Sequence, residues 1–346
     1  MARISPEVSV VVSSLGNYPV LRRVLDGFAH QTADARSFEV LVVVDRADPD
    51  PAAVDDAIGS RPYRVERLTG RIPGLSANRN TGWRAAQAPL VLFTDNDTIP
   101  VPELIDEHLA SHRGHPDEEV AVAGHVRWAP ELKLTPFMRW LEEGVQFDFG
   151  SITGEQAGWA HLYGANSSVK KGLLERVGGF DEERLPYLYE DLDWAYRATR
   201  HGLRVVYNPR ALVDHVRPGM TLEFWKEKVR RLAAAERQFV TVHPEMKPWF
   251  YEKFSAAARQ PRLRGRAMKL VPFVPEWVPW LGPRLWENAR QGYWQELAPH
   301  FLAGWDEAAT GPMPAAWMAA SADGGVGYSL DSAARSGPGS SRPGGS

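Results

Sequence analysis

The 346-residue chain contains no cysteine, which excludes disulfides, thiolate zinc sites and thiol nucleophiles. It carries little excess charge of either sign, and a net charge of −3 gives no electrostatic case for a nucleic-acid partner. No apolar run approaches the roughly 18 residues of a membrane-spanning helix. Met1–Glu7 lacks the apolar core of a signal peptide, so a cytoplasmic enzyme is the expectation. Two glycine patterns are missing as well. There is no Gly-x-x-x-x-Gly-Lys-Ser/Thr loop and no Gly-x-Gly-x-x-Gly after the first apolar run, so a P-loop and a dinucleotide site both lack the residues that let backbone approach phosphate. The chain has no internal repeat.

What is present reads as a large globular protein: 44% hydrophobic and 24% charged residues. Val8–Ser14 and Phe38–Val44 are β-branched runs, with helical spacing of apolar residues from Val20 to Gln31 between them. That is a βαβ unit with a right-handed crossover. A short helix over Ala52–Ile58 and a strand over Tyr63–Leu68 follow. Gly74 to Gly82 opens a helix to about Gln87, with Ser76 as its N-cap. Leu90–Phe93 is the next strand. Further on, helices are expected over Pro102–His112, Pro136–Gln146, Lys171–Val177, Glu190–His201 and Met220–Val242. Strands are expected over Val120–Val126, Ala165–Val169, Leu203–Tyr207 and Ala211–His215. His108 and His112 have i, i+4 spacing, but the glutamate of a zinc-protease motif does not follow His108, and the pair reads as a solvated helix face. Alternating strands and helices predict an α/β fold with a mainly parallel sheet covered on both faces.

The chain is organised around Leu90-Val91-Leu92-Phe93-Thr94-Asp95-Asn96-Asp97, an apolar run that ends on two carboxylates. Open α/β sheets bind ligands at the carboxyl ends of their strands. Carboxylates at such a tip suit a hard divalent cation and the phosphates that accompany it. An acidic turn after a strand is the rival reading. Ser13, Ser14 and Asp45 end the two earlier strands and would meet Asp95–Asp97 at one crevice.

Several stretches in this order resemble a family 2 glycosyltransferase with the GT-A fold, from about Val8 to His215. They are Val8–Asn17, Val42-Val43-Val44-Asp45, Gly74-Leu75-Ser76-Ala77-Asn78-Arg79-Asn80-Thr81-Gly82, Asp95-Asn96-Asp97, Gly164-Ala165-Asn166, Gly178-Gly179-Phe180-Asp181-Glu182 and Glu190-Asp191-Leu192-Asp193-Trp194. The resemblance implies inverting transfer of a sugar from a nucleoside diphosphate donor to a hydroxyl acceptor: a glycan, a glycolipid or a natural product. It implies Mn2+ or Mg2+ held by Asp95, Asp97 and, as in several members of the fold, His215. Asp191 would be the base, which an alcohol of high pKa requires, and Glu190 would hold it or touch the acceptor. Helix N-terminal acids complementing the macrodipole are the rival account of that pair. Ser13, Ser14, Asn17, Asp45, Asn78, Arg79, Asp95 and Asn96 would contact the donor, with Asp45 at the nucleobase and Arg79 paired to Asp45 or Asp95. Asn166 and Trp194 would line the acceptor cleft. Ser13–Asn17 and Arg46-Ala47-Asp48 depart from the family's usual turns, which leaves the nucleobase open.

The chain divides by composition into a catalytic domain over 1–219, a helical extension over 220–320 interrupted by proline and tryptophan, and a Gly/Ser-rich tail over 321–346 expected to be disordered. Arg259, Arg262, Arg264, Arg266 and Lys269 precede an apolar Pro/Trp stretch ending at Leu281. This region, 259–281, suits a lipid headgroup boundary, and a lipid-linked acceptor at the inner face of a membrane would fit it. Its rival reading is a segment wrapped on the catalytic domain with its Trp packed inward. Two alternative functions share the acidic nucleotide crevice. A nucleotidyltransferase would carry a Gly-rich, Lys/Arg-bearing loop after the first strand, which is missing. A non-catalytic sugar-nucleotide or glycan-binding relative would have a broken Asp-x-Asp or Glu-Asp motif, and both motifs are intact.

Overall fold

The runs of Val, Ile and Leu that read as buried strands do become the middle of a sheet. A computed structural model describes residues 5–261, 265–274 and 276–309. The strands are β1 (Val8–Ser14), β2 (Phe38–Val44), β3 (Arg64–Thr69), β4 (Leu90–Asp95), β5 (Thr98–Pro100), β6 (Val120–Trp128), β7 (Gln156–Ala157), β8 (Asn166–Lys170) and β9 (Arg204–His215). They form one sheet in the order β3-β2-β1-β4-β8-β6-β9-β5, with β7 on β9. β1, β2, β3 and β4 are parallel, as the βαβ pattern predicts. Beyond β4 the sheet is mixed: β8 runs antiparallel to β4 and β6, β9 is parallel to β6, and β5 and β7 are antiparallel to β9. β1 and β2 are buried along their whole length, which is why they read as continuous apolar runs.

The helices are α1 (Tyr18–Ala29), α2 (Pro51–Ile58), α3 (Leu75–Ala85), α4 (Leu104–Gly114), α5 (Pro136–Leu141), α6 (Lys171–Val177), α7 (Glu190–Thr199), α8 (Leu222–Val242), α9 (Trp249–Ala258), α10 (Gly265–Leu270) and α11 (Gly282–Glu307). Two apolar layers cover the sheet. One packs α1, α2 and α4 on Val10, Val12, Val40, Val42 and Leu92; the other packs α3, α6 and α7 on Val11, Leu41, Val43, Val91 and Phe93. A third cluster joins α8, α9 and α11 to α5 and Trp128.

Several sequence expectations change, among them the helix expected over Pro136–Gln146, which ends at Leu141. The strands expected over Leu203–Tyr207 and Ala211–His215 are one strand, β9, whose register against β6 shifts between Gly124 and His125. Gly74, at φ 140°, caps α3 in place of Ser76, whose hydroxyl donates to the Leu185 carbonyl (2.6 Å). His108 and His112 do not face solvent. Both are buried, with His108 Nδ1 and His112 Nε2 each bonded to Ser168 Oγ, and burial lowers His108 to about 4 and His112 to about 3. The long α11 was hidden by Pro299 in its interior. A proline there removes one backbone hydrogen bond, but Tyr293, Leu297, Ala298 and Phe301 are buried around it and hold the helix in place. Arg262, Arg264 and the tail from 310 lie outside the described residues.

Candidate active site

Parallel strands share a direction, so Ser13–Ser14, Asp45 and Asp95 come to one end of the sheet, with Ser13 level with Asp95 in the β1–β4 register. Asn96 Nδ2 donates to the Gly16 carbonyl (3.0 Å), tying the Asp-x-Asp turn to the turn after β1. Asn17 opens α1 in the left-handed region (φ 55°). Asp48 holds that turn by accepting from the Gly16 N–H (2.8 Å) and the Tyr18 hydroxyl (2.7 Å). Asp48 is not singled out by the sequence, where it is one acid in a polar loop. The hydroxyls of Ser13 and Ser14 are buried without a hydrogen-bond partner.

Asp45 does not pair with Arg79. Its Oδ2 accepts from the Gly74 N–H and Asn78 Nδ2 (both 3.0 Å), and its Oδ1 accepts from the Ala47 N–H (2.8 Å). The carboxylate thus fixes the start of α3, and little of it is exposed (2%). Asn78 packs so closely under Gly70 that a Cβ there would overlap its side chain.

Arg79 is the central cation instead. It is buried, bonded to Glu190 Oε1 and 3.7 Å from Asp95. Its guanidinium lies against Gly164, where a Cβ would overlap it. The Gly164 N–H in turn donates to Asp191 Oδ2 (2.9 Å), and the Leu192 N–H donates to Asp191 Oδ1 (2.8 Å). Asp95, Arg79, Glu190 and Asp191 therefore share one crevice, and Asp191 is only half-buried. Burial, with the like charge of Asp191, raises Glu190 against the pull of Arg79. Burial and the like charges of Asp97 and Asp191 raise Asp95 to about 7, again opposed by Arg79. Yet the Asp95 side chain keeps 30% exposure, so a cation can reach it.

The second carboxylate of the motif is placed by tertiary pairing. β5 starts one residue after Asp97 and pairs Thr98 with His215 at the end of β9, and the Val216 N–H donates to the Asp97 carbonyl (2.7 Å). Asp97 Oδ2 is 3.4 Å from His215 Nε2 and 3.2 Å from Arg217 Nη1. Burial works against its charge, but His215, Arg217 and Lys228 outweigh it and hold the carboxyl well below the ordinary range. The His215 ring stacks on Trp128 (5.1 Å, 15°), and its Nδ1 has no partner. Among the described residues no three His, Asp or Glu side chains form a ready cage for a metal. Two acids, one of them reachable, and the His215 Nε2 that faces Asp97 fit a cation whose shell is completed by phosphate oxygens and water.

Arg217 and Lys228 were not found from the sequence. Arg217 follows His215 by two residues, and Lys228 sits over the Trp225 ring (4.5 Å) on α8, beyond the motifs. Burial lowers Lys228 to about 7, with Arg217 adding to the shift and Asp97 opposing it.

The structure withdraws the two expected acceptor residues. Asn166 is buried with its amide bonded to the His125 and Ala211 carbonyls and to His108 Nε2, and Trp194 is buried with Nε1 donating to the Gly178 carbonyl. Their positions in the fold make them packing residues, because β8 and α7 turn both side chains inward. Half-buried Phe147, Phe149 and Tyr163 stand at the crevice instead. Their rings touch one another at 5.2–5.8 Å. Phe147 reaches His215 (6.2 Å), and the Tyr163 hydroxyl accepts from the Asp148 N–H (2.9 Å).

The turn before α7 is strained. Leu188 and Tyr189 take positive φ (56° and 63°), a region that side chains disfavour. Tyr189 is held there by its hydroxyl on Glu236 of α8 (3.1 Å), which also accepts from the Phe250 and Tyr251 N–H groups at the start of α9. No sequence pattern marks Glu236.

Comparison with known proteins identifies the family and the fold. Residues 6–235 match the family described as "Glycosyltransferase like family 2". Validoxylamine A glucosyltransferase of Streptomyces hygroscopicus subsp. jinggangensis is 26% identical in a 232-residue alignment that covers 57% of this chain and 52% of that protein. The glucosyl-dolichyl phosphate glucuronosyltransferase of Haloferax volcanii is 27% identical over 222 residues, 60% of this chain and 69% of that one. The chain spans about half the length of the validoxylamine enzyme. Among solved structures, the mannosyltransferase PcManGT from Pyrobaculum calidifontis, in complex with GDP-Man and Mn2+, superposes with a TM-score of 0.51 at 21% identity, covering 95% of this chain and 83% of its own. TarS 1-349 of S. aureus gives 0.50 at 16%, covering 86% and 90%. The chain belongs to glycosyltransferase family 2 and has the GT-A fold.

Proposed function

We propose that this chain is an inverting, metal-dependent glycosyltransferase that moves a sugar from a nucleoside diphosphate donor to a hydroxyl acceptor. The observation that carries the reading is Arg79, one buried cation bonded to Glu190 and facing Asp95, which fixes the donor-side and acceptor-side acids about a single crevice. Family membership supports it, as do a glucosyltransferase and a glucuronosyltransferase among the relatives and the GDP-Man and Mn2+ in the archaeal neighbour.

Asp95, Asp97 and His215 would hold the cation, which when bound supplies positive charge to the donor diphosphate. Arg217 adds positive charge on the same side, and Lys228 adds to it when protonated. Asn17 and Asn96 shape the nucleotide end of the crevice, with Ser13 level with Asp95 at the strand tips. Asp45 and Asn78 support that end from below by setting the start of α3. Asp191, aimed by two backbone N–H groups, takes the acceptor's proton as its oxygen bonds to the anomeric carbon. The bond from that carbon to the phosphate oxygen breaks, and its electron pair leaves with the diphosphate. Phe147, Phe149 and Tyr163 give the sugar and acceptor an apolar wall between the two ends. A single base opposite the leaving group gives inversion.

The test pairs binding with turnover. A thermal-shift panel of nucleotide sugars, with and without Mn2+, identifies the donor. Asp191→Asn is expected to keep the donor-induced shift and to lower transfer by about 10²–10⁴-fold, the range of a lost general base. Wild-type turnover in that variant would overturn the assignment.

A further inference from the structure

The large apolar side chains exposed among the described residues are concentrated in one place. Leu270, Phe273, Trp277, Trp280 and Leu281 all fall between residues 270 and 281, whereas Leu134, Phe224 and Trp249 are scattered. Phe273, Trp277 and Trp280 are 80–83% exposed, against the inward-packed tryptophans that the alternative reading of this segment requires. The segment between α10 and α11 is also built. Val271 is buried in the helical core, the Trp286 indole donates to the Val274 carbonyl (3.0 Å), and the Gly282 N–H donates to the Val278 carbonyl (2.9 Å). Trp280 stands at φ 66°, a conformation that the surrounding contacts must hold. A backbone anchored at both ends therefore presents three aromatic rings to solvent.

Basic residues outnumber acidic ones in the segment that carries the rings. Arg259, Lys269 and Arg284 are exposed, and the sequence adds Arg262, Arg264 and Arg266 between them. The one acid between residues 259 and 284 is Glu276, which shares Arg290 (3.0 Å) with Glu143. Aromatic rings projecting among cations match the boundary of an anionic bilayer: rings settle at headgroup level while Lys and Arg face lipid phosphates. A second copy of the chain is a poorer occupant, because a two-fold interface would set one basic rim against another. No described helix is long and apolar enough to cross a membrane, so the contact would be peripheral.

We propose that residues 269–284 form an interfacial loop that docks this chain on an anionic lipid surface through Phe273, Trp277 and Trp280. The proposal stands apart from the transfer reaction, since none of these residues lines the crevice.

The test is sedimentation of the full chain with vesicles of phosphatidylcholine mixed with phosphatidylglycerol, against phosphatidylcholine alone, at low and high salt. The chain is expected to sediment with the anionic vesicles and to be released by salt. Trp277→Ser/Trp280→Ser is expected to weaken binding about tenfold or more while leaving the melting temperature and any donor-induced shift unchanged. Absence of binding to anionic vesicles, or undiminished binding by the double variant, would overturn the proposal. So would a concentration-dependent dimer that the double variant abolishes without any vesicle binding. Donor binding without vesicle binding removes the loop's role alone, and vesicle binding without donor binding removes the transferase reading alone.

Discussion

At the scale of single residues, the site depends on where charge is buried. Arg79 is sunk among Glu190, Asp95 and the Gly164 backbone, so removing it strands an acid in a dry place. Arg79→Met is expected to destabilise the chain by about 3–5 kcal/mol, the cost of breaking a buried pair from one side. Urea unfolding measures this, and Arg79→Met/Glu190→Leu should recover part of the loss. If the single variant unfolds like wild type, the pair is not what holds α3 to α7. Gly164→Ala probes the same centre through shape. A methyl at that position overlaps the guanidinium, so transfer should fall sharply while the fold persists. Lys228 is a cation made costly by burial and held beside Asp97. Lys228→Ala is expected to raise the donor KM more than it lowers kcat, as measured by steady-state kinetics.

At the scale of elements, α8 connects the turn before α7 to the C-terminal helices. Glu236 joins three pieces: Tyr189 before α7, its own helix and the start of α9. Burial raises its carboxyl from 4.5 to about 7, against the three hydrogen bonds it accepts. Between those two values the folded protein holds a proton that the unfolded chain has released. This group's contribution to stability is therefore present at low pH and is lost as pH rises toward 7 and beyond. In Glu236→Gln the fall in unfolding free energy between pH 5 and pH 8 should be smaller than in wild type, as read from denaturant midpoints at both pH values. An equal fall in both proteins would remove Glu236 from the account. Crossing of α8 and α11 depends on Gly304, whose missing side chain lets the Arg230 backbone approach.

At the scale of the whole molecule, the helical layer is part of the catalytic body. Its core takes in Trp128 and the α5 side chains Phe137, Met138, Trp140 and Leu141, and Trp128 stacks on His215. A chain ended at residue 219 loses Trp225, Lys228 and Glu236 and uncovers that apolar surface. It is expected to lack a cooperative melt, which calorimetry would show. Under the proposed function, metal dependence would also belong to the assembled crevice. EDTA should abolish transfer and added Mn2+ restore it, whereas Asp97→Ala should not be rescued.

The sequence by itself determined the strands β1, β2 and β4, because a buried parallel strand must be a continuous apolar run, and their direction then sets Ser13, Asp45 and Asp95 at one edge. The resemblance of its motifs to family 2 glycosyltransferases singled out Asp95, Asp97, Glu190 and Asp191 together. Only the tertiary structure decided which groups meet. Pairing of β5 with the end of β9 brings His215 and Arg217 to Asp97, α8 brings Lys228 and Glu236, and the turned faces of β8 and α7 withdraw Asn166 and Trp194 into the core. Apolar periodicity fixes which face of an element is dry. Contacts between residues a hundred or more apart depend on strand order and helix crossing, and no local spacing encodes those.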